Sequence, residues 1–219
     1  MLRVGLFCSG SGEYLRKLVN AQNECTLTDA MVVCTVCDVL EAEVVKTAQS
    51  LGVKCDVVCK DDFADSMQWE LALAREIATN SIDLVVLAGF ETQLSDEFIK
   101  QFEGRIVKLQ PSLVPSFCDE GMFGINVHKA VLARGVKVTG ATVYYLTQNV
   151  AEGEIVAQKA VEVLRGDTPQ VLQKRVMEKG ELMILTRAVQ LIAEDAALSA
   201  AVQGTTCMRR NPGATDAMF

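Results

Sequence analysis

From Leu2 the chain alternates short apolar runs with longer segments whose apolar residues recur every three or four positions. Leu2–Cys8 reads as a buried strand, Ser9-Gly10-Ser11-Gly12 as a tight turn, and Tyr14, Leu15, Leu18 and Val19 as one face of a helix. The unit recurs. Residues 30–36 predict a strand, 41–51 a helix ended by Gly52, 53–58 a strand, 67–78 a helix, 82–88 the most apolar strand, 95–102 a short helix and 105–109 a strand. Strands apolar on both faces and alternating with helices predict a parallel sheet covered on both sides. The rhythm then changes: residues 136–146 and 155–164 are extended with no helix predicted between them, so the sheet is expected to finish antiparallel. Asp167-Thr168-Pro169 opens the last helix, with Asp167 or Thr168 as cap, running to about Glu194. The expectation is one α/β domain over residues 1–194 with a mostly parallel, Rossmann-like sheet. The tail, 195–219, carries Gly204, Pro212 and Gly213 and is expected to be poorly ordered.

The chain has 219 residues, half of them hydrophobic, which suits one substantial core. No run approaches the roughly 18 apolar residues of a membrane span, and Met1 leads into a strand without a charged leader, so no membrane contact or signal peptide is expected. Eight cysteines embedded in apolar runs fit reduced thiols in a cytoplasmic protein. The spacings Cys34-Thr-Val-Cys37 and Cys55-Asp-Val-Val-Cys59 invite a metal reading. Residues three apart on a strand face opposite ways, however, and no histidine is near, so no metal is expected. A formal charge of −7 without a basic run argues against nucleic acid. Nothing sets the oligomeric state, and a homodimer stays open.

In an open α/β sheet the ligand crevice lies beyond the carboxyl ends of the strands. Four segments are expected there: Ser9–Glu13, Gly89–Leu94, Lys108–Ser116 and Thr147–Glu154. A glycine turn opening a helix offers free N–H groups to an anion, but Glu13 in the first helical turn would repel a dianion. The expected partner is a small molecule.

Several motifs follow one another in unbroken order: Asp83-Leu-Val-Val-Leu-Ala-Gly-Phe90 with Leu94-Ser95, Gly104-Arg105-Ile106, Pro111-Ser112-Leu113 with Pro115, Val138-Thr-Gly-Ala-Thr-Val143 and Asp167-Thr168-Pro169. With them the chain, from about Leu2 to Glu194, resembles the phosphoribosylglycinamide formyltransferase family. The resemblance implies the formyltransferase fold. It also implies transfer of a formyl group from 10-formyltetrahydrofolate to the amine of glycinamide ribonucleotide, in purine synthesis. It further implies a substrate side built from Gly10, Ser11, Gly12, Glu13, Pro111 and Ser112, and a cosubstrate side built from Leu87, Gly89, Phe90, Glu91, Leu94 and Thr147.

Against that pattern the reacting groups are exchanged. The family's asparagine, histidine and aspartate fall at Lys108, Gln110 and Ala151. A glutamine donates a hydrogen bond but moves no proton near neutrality, and an alanine does neither. Glu152 stands one residue beyond Ala151 as a displaced carboxylate. The family's phosphate loop reads Gly10-Ser11-Gly12-Glu13-Tyr14, its Met-Arg after Gly-Phe reads Glu91-Thr92, and a Glu-His pair of the last helix reads Gly180-Glu181. His128 matches a family histidine that precedes the next helix and reads as structural. Cys118 lacks a histidine to activate it and reads as incidental. The leading expectation is therefore a family member that has lost ordinary formyl transfer and binds a ligand or partner, with no resident cofactor. The alternatives are an active formyltransferase with an unorthodox site, for which 10-formyltetrahydrofolate is cosubstrate, and a different transfer reaction in the same cleft.

Overall fold

The structure, a computed structural model, describes residues 1–119, 121–148 and 152–208. Five parallel strands, β1 (Leu2–Phe7), β2 (Ala30–Cys37), β3 (Lys54–Val57), β4 (Leu84–Leu87) and β5 (Ile106–Gln110), are followed by β6 (Val138–Tyr145) and β7 (Ile155–Glu162). The sheet order is β3-β2-β1-β4-β5-β6-β7, with β6 and β7 antiparallel. The parallel sheet with an antiparallel finish is thus as the residue pattern predicts.

Period-two alternation separates two cores. Val107 and Leu109 of β5 and Ala141 and Val143 of β6 face the layer of α1 (Glu13–Asn23), α2 (Glu43–Leu51), α5 (Ile125–Arg134), α6 (Pro169–Val176) and α7 (Leu182–Met208). Val85, Leu87 and Ile106 face α3 (Ser66–Thr79) and α4 (Asp96–Gln101). In that second core Trp69 stacks on Phe90 at 6.3 Å and its indole N–H donates to the Val58 carbonyl at 2.9 Å. Such buried aromatic pairs contribute about 0.5–1.5 kcal/mol beyond their area. Asp65 caps α3 and Ser95 caps α4, each accepting an N–H from three residues on. Buried Glu70 accepts from the backbone N–H and the hydroxyl of Ser95, both at 2.6 Å.

Two features depart from the residue pattern, and a third resolves an alternative that it left open. His128 lies inside α5 rather than ahead of a helix, because Gly124 and Gly135, both at positive φ, bracket a helix that includes it. Thr168 alone caps the segment after β7, while Asp167 accepts from Arg175 and from the Leu164 N–H. The last helix is interrupted by a π-helical turn at Met177–Glu181, and α7 then continues past Glu194 to Met208. From Ala196 to Ala201 the side chains are exposed, so the alanine-rich sequence sustains this stretch by intrinsic propensity rather than packing. Residues 209–219 lie outside the described part.

Candidate active site

The carboxyl ends of β1 and β4 adjoin, and the Ser9 N–H donates to the Gly89 carbonyl at 3.1 Å across them. Ser9-Gly10-Ser11-Gly12 is tied to α2: Val44 N–H donates to Gly10 and Thr47 Oγ1 donates to Ser11, at 3.1 and 3.3 Å. Gly12 adopts φ 81°, and a Cβ there would meet Thr47 at 2.8 Å, so only glycine fits between this turn and α2. Glu13 begins α1 as an exposed carboxylate.

Two carboxylates lie nearby, Glu181 of the exchanged Gly180-Glu181 pair and Asp38, which the residue pattern does not mark. Asp38, at the carboxyl end of β2, accepts from the hydroxyls of Ser9 and Thr92. Glu181, in the π-helical turn, is 5% exposed and accepts from the Tyr14 hydroxyl. Burial raises the Glu181 carboxyl to about 7, and the Tyr14 bond acts in the opposite direction. Tyr14 in turn lies against Gly89, where a Cβ would stand 3.3 Å from its ring. This pair links α1, the end of β4 and the π-helical turn. The exchanged positions Tyr14 and Glu181 thus meet in the fold.

Lys108 and Gln110 point from β5 toward the α3 and α4 side of the sheet, alternating with Val107 and Leu109. Gln110 is 1% exposed, and its amide nitrogen donates to the carbonyls of Met122 and Phe117 at 2.9 and 3.2 Å. Ser112 Oγ donates to the same Phe117 carbonyl at 3.1 Å. Thr142 Oγ1, buried on β6, donates to Ser112 at 2.7 Å and accepts from the Val114 N–H at 3.1 Å. Gln110 is therefore the anchor of the loop running from Pro111 to Met122.

Lys108 is in register with Tyr144 of β6 and Leu87 of β4. It makes no hydrogen bond or ion pair among the described residues. Burial holds its ammonium below the usual lysine range, and the neighbouring Cys118 acts in the opposite direction. Cys118 donates its thiol to the Pro115 carbonyl and is itself raised by burial. Tyr144, raised to about 12 by burial, shares a small apolar cluster with Cys118, Val114 and Leu146.

The remaining site expectations divide. Leu87, Phe90 and Leu94 are buried core residues, whereas Gly89 and Glu91 are exposed, with a Glu91 oxygen near Gly124. Thr147 and Glu152 were expected at the carboxyl ends of the parallel strands, but β6 runs antiparallel and ends beside Ile106 at the amino end of β5. There Thr147, Gln148 and Glu152 line a cleft of about 280 Å³ with Ile99, Lys100 and Glu103. Ala151 lies outside the described residues. His128 is buried, neither ring nitrogen has a partner among the described residues, and burial lowers it to about 4. A second cleft of about 300 Å³, lined by Ile77, Asp83 and Arg105, sits at the amino ends of the strands and contains none of these groups. Among the described residues no group of three or more His, Cys, Asp or Glu side chains could hold a metal, and no helix is long and apolar enough to cross a membrane.

A family model described as formyl transferase matches residues 2–189, and the chain belongs to that family. Within it, the similarity is to phosphoribosylglycinamide formyltransferases. The Bacillus subtilis phosphoribosylglycinamide formyltransferase is 28% identical over 176 residues, covering 80% of this chain and 87% of that protein. The crystal structure of glycinamide ribonucleotide transformylase 1 from Symbiobacterium toebii superimposes with a TM-score of 0.82 at 32% identity, covering 89% of each chain. The trifunctional purine biosynthetic protein adenosine-3 of Gallus gallus is 35% identical over 195 residues, which are 89% of this chain but only 19% of that protein. The chain therefore spans about a fifth of the length of such trifunctional relatives.

Proposed function

We propose that this chain is a formyltransferase-family protein whose crevice no longer carries out ordinary formyl transfer and instead holds a different small ligand. The carrying observation is Gln110: at the position where the family resemblance places the proton-moving imidazole, a carboxamide has both donor contacts committed to loop carbonyls. Formyl transfer needs a donor toward the developing oxyanion and a group that moves a proton from the attacking amine. Gln110 does neither, and Ala151 supplies no carboxylate to orient one. The nucleotide side is altered in the same sense, with Glu13 exposed at the start of α1 and Tyr14 bonded to Glu181. The chain works in the cytoplasm without a resident cofactor, metal, nucleic acid or membrane partner.

A second reading is favoured by one observation. Lys108 has no described partner, and its charge would stabilise an oxyanion. Under that reading the chain is an active glycinamide ribonucleotide formyltransferase of purine synthesis, with 10-formyltetrahydrofolate as cosubstrate. Titration calorimetry with glycinamide ribonucleotide separates the two. The first reading expects no micromolar binding by the wild type and tighter binding by the Glu13→Ser, Tyr14→Asn variant. Micromolar binding by the wild type supports the second.

A further inference from the structure

Lys108 differs from every other lysine of the chain. The other ten are exposed, whereas Lys108 is largely withdrawn from water on the floor formed by β4, β5 and β6. A lysine held this way ordinarily finds a carboxylate, since an unpaired ammonium out of water costs several kcal/mol. Here the groups around it are a phenol and a thiol: Tyr144 directly across the β5–β6 ladder, and Cys118 close enough to interact with both. Val114 and Leu146 complete an apolar wall. Glu13, Glu91 and Asp119 are exposed on the segments around the crevice, which disfavours entry of an anion.

Resting on the reading that the crevice holds a ligand other than the family's substrates, we propose that Lys108 is a carbonyl-capturing amine. The site takes a small uncharged aldehyde or ketone and fixes it as an imine. The Nζ lone pair attacks the carbonyl carbon, a C–N bond forms as the C–O π bond opens, and the amine's protons leave with the oxygen as water. No oxidant or reductant is consumed. The Tyr144 phenol, protonated at neutral pH, gives a proton to the departing oxygen and regains one from the nitrogen. Burial supports the chemistry, because desolvation raises the share of free amine, as in other lysines that form Schiff bases.

The test uses the full chain with glycolaldehyde and sodium cyanoborohydride, followed by peptide mapping of each lysine over time. Lys17 and Lys46, both exposed, are internal references. Lys108 is expected to be modified several-fold faster than either, and Tyr144→Phe to slow Lys108 while leaving the references unchanged. A Lys108 rate at or below that of the references overturns the proposal. So does faster labelling by glyoxylate than by glycolaldehyde together with protection by acetate, which would define an anion site. Formyl transfer measured on the same preparation reports on the parent reading separately, because it follows tetrahydrofolate release rather than lysine modification.

Discussion

Replacing Gln110 with methionine tests whether its carboxamide anchors the loop, because the change keeps nearly the same volume and deletes both N–H donors. The Phe117 carbonyl retains the Ser112 hydroxyl at 3.1 Å, so its loss is partial, while the Met122 carbonyl has no other described donor. Two part-buried bonds at roughly 0.5–1.5 kcal/mol each give an expected destabilisation of about 1–3 kcal/mol, with the lower half favoured by the remaining Ser112 bond. Gln110→Ala adds a cavity at a position only 1% exposed, for about 2 kcal/mol more. Urea unfolding gives the stability change from the midpoint at constant slope. Limited proteolysis between Pro111 and Met122 reports the loop directly, and both variants should be cut faster there. If Gln110→Met unfolds at the wild-type midpoint with the loop equally protected, the amide is not an anchor. It would then be free to serve a ligand, which contradicts the role assigned to Gln110.

Three further outcomes follow from burial and charge. Glu181 has a native value of about 7, above the ordinary carboxyl value of 4.5, so the native state holds its proton longer than the unfolded chain. Its contribution is complete below about 4.5 and is lost as pH rises toward 7, so Glu181→Gln should flatten the stability profile across that window in a pH series of urea titrations. His128 has the opposite sign: burial lowers it to about 4, so stability falls as pH drops from 6.5 toward 4, and His128→Leu should gain stability relative to wild type at pH near 5. Gly140→Ala would place a Cβ 2.0 Å from the Lys159 carbonyl inside the β6–β7 ladder, and an unfolded or insoluble product is expected by circular dichroism.

The sheet was legible because burial on both faces forces near-continuous apolar strands, as in Leu84–Leu87, and because glycines such as Gly52 end helices. Element ends were less so. The pattern near His128 mixes polar and apolar residues, and the two glycines that define α5 are visible only as ordinary turn residues. The continuation of α7 depends on alanine propensity in a segment whose downstream glycine and proline suggested a tail. For the site, residue types told which groups were exchanged but not what the replacements touch. Gln110 turned toward carbonyls 7 and 12 residues away, and Tyr14 met a carboxylate 167 residues away. Strand direction mattered as well: only the antiparallel course of β6 reveals that Thr147 and Glu152 leave from the amino end of β5.

The proposed loss of ordinary formyl transfer is measured directly as tetrahydrofolate formation from 10-formyltetrahydrofolate and glycinamide ribonucleotide by the wild-type chain. General acid–base help contributes about 10²–10⁴-fold to such a step. Ribonucleotide-dependent turnover is therefore expected at least about a hundredfold below the roughly 1 s⁻¹ floor of ordinary enzymes. Turnover at about 1 s⁻¹ or faster would contradict it.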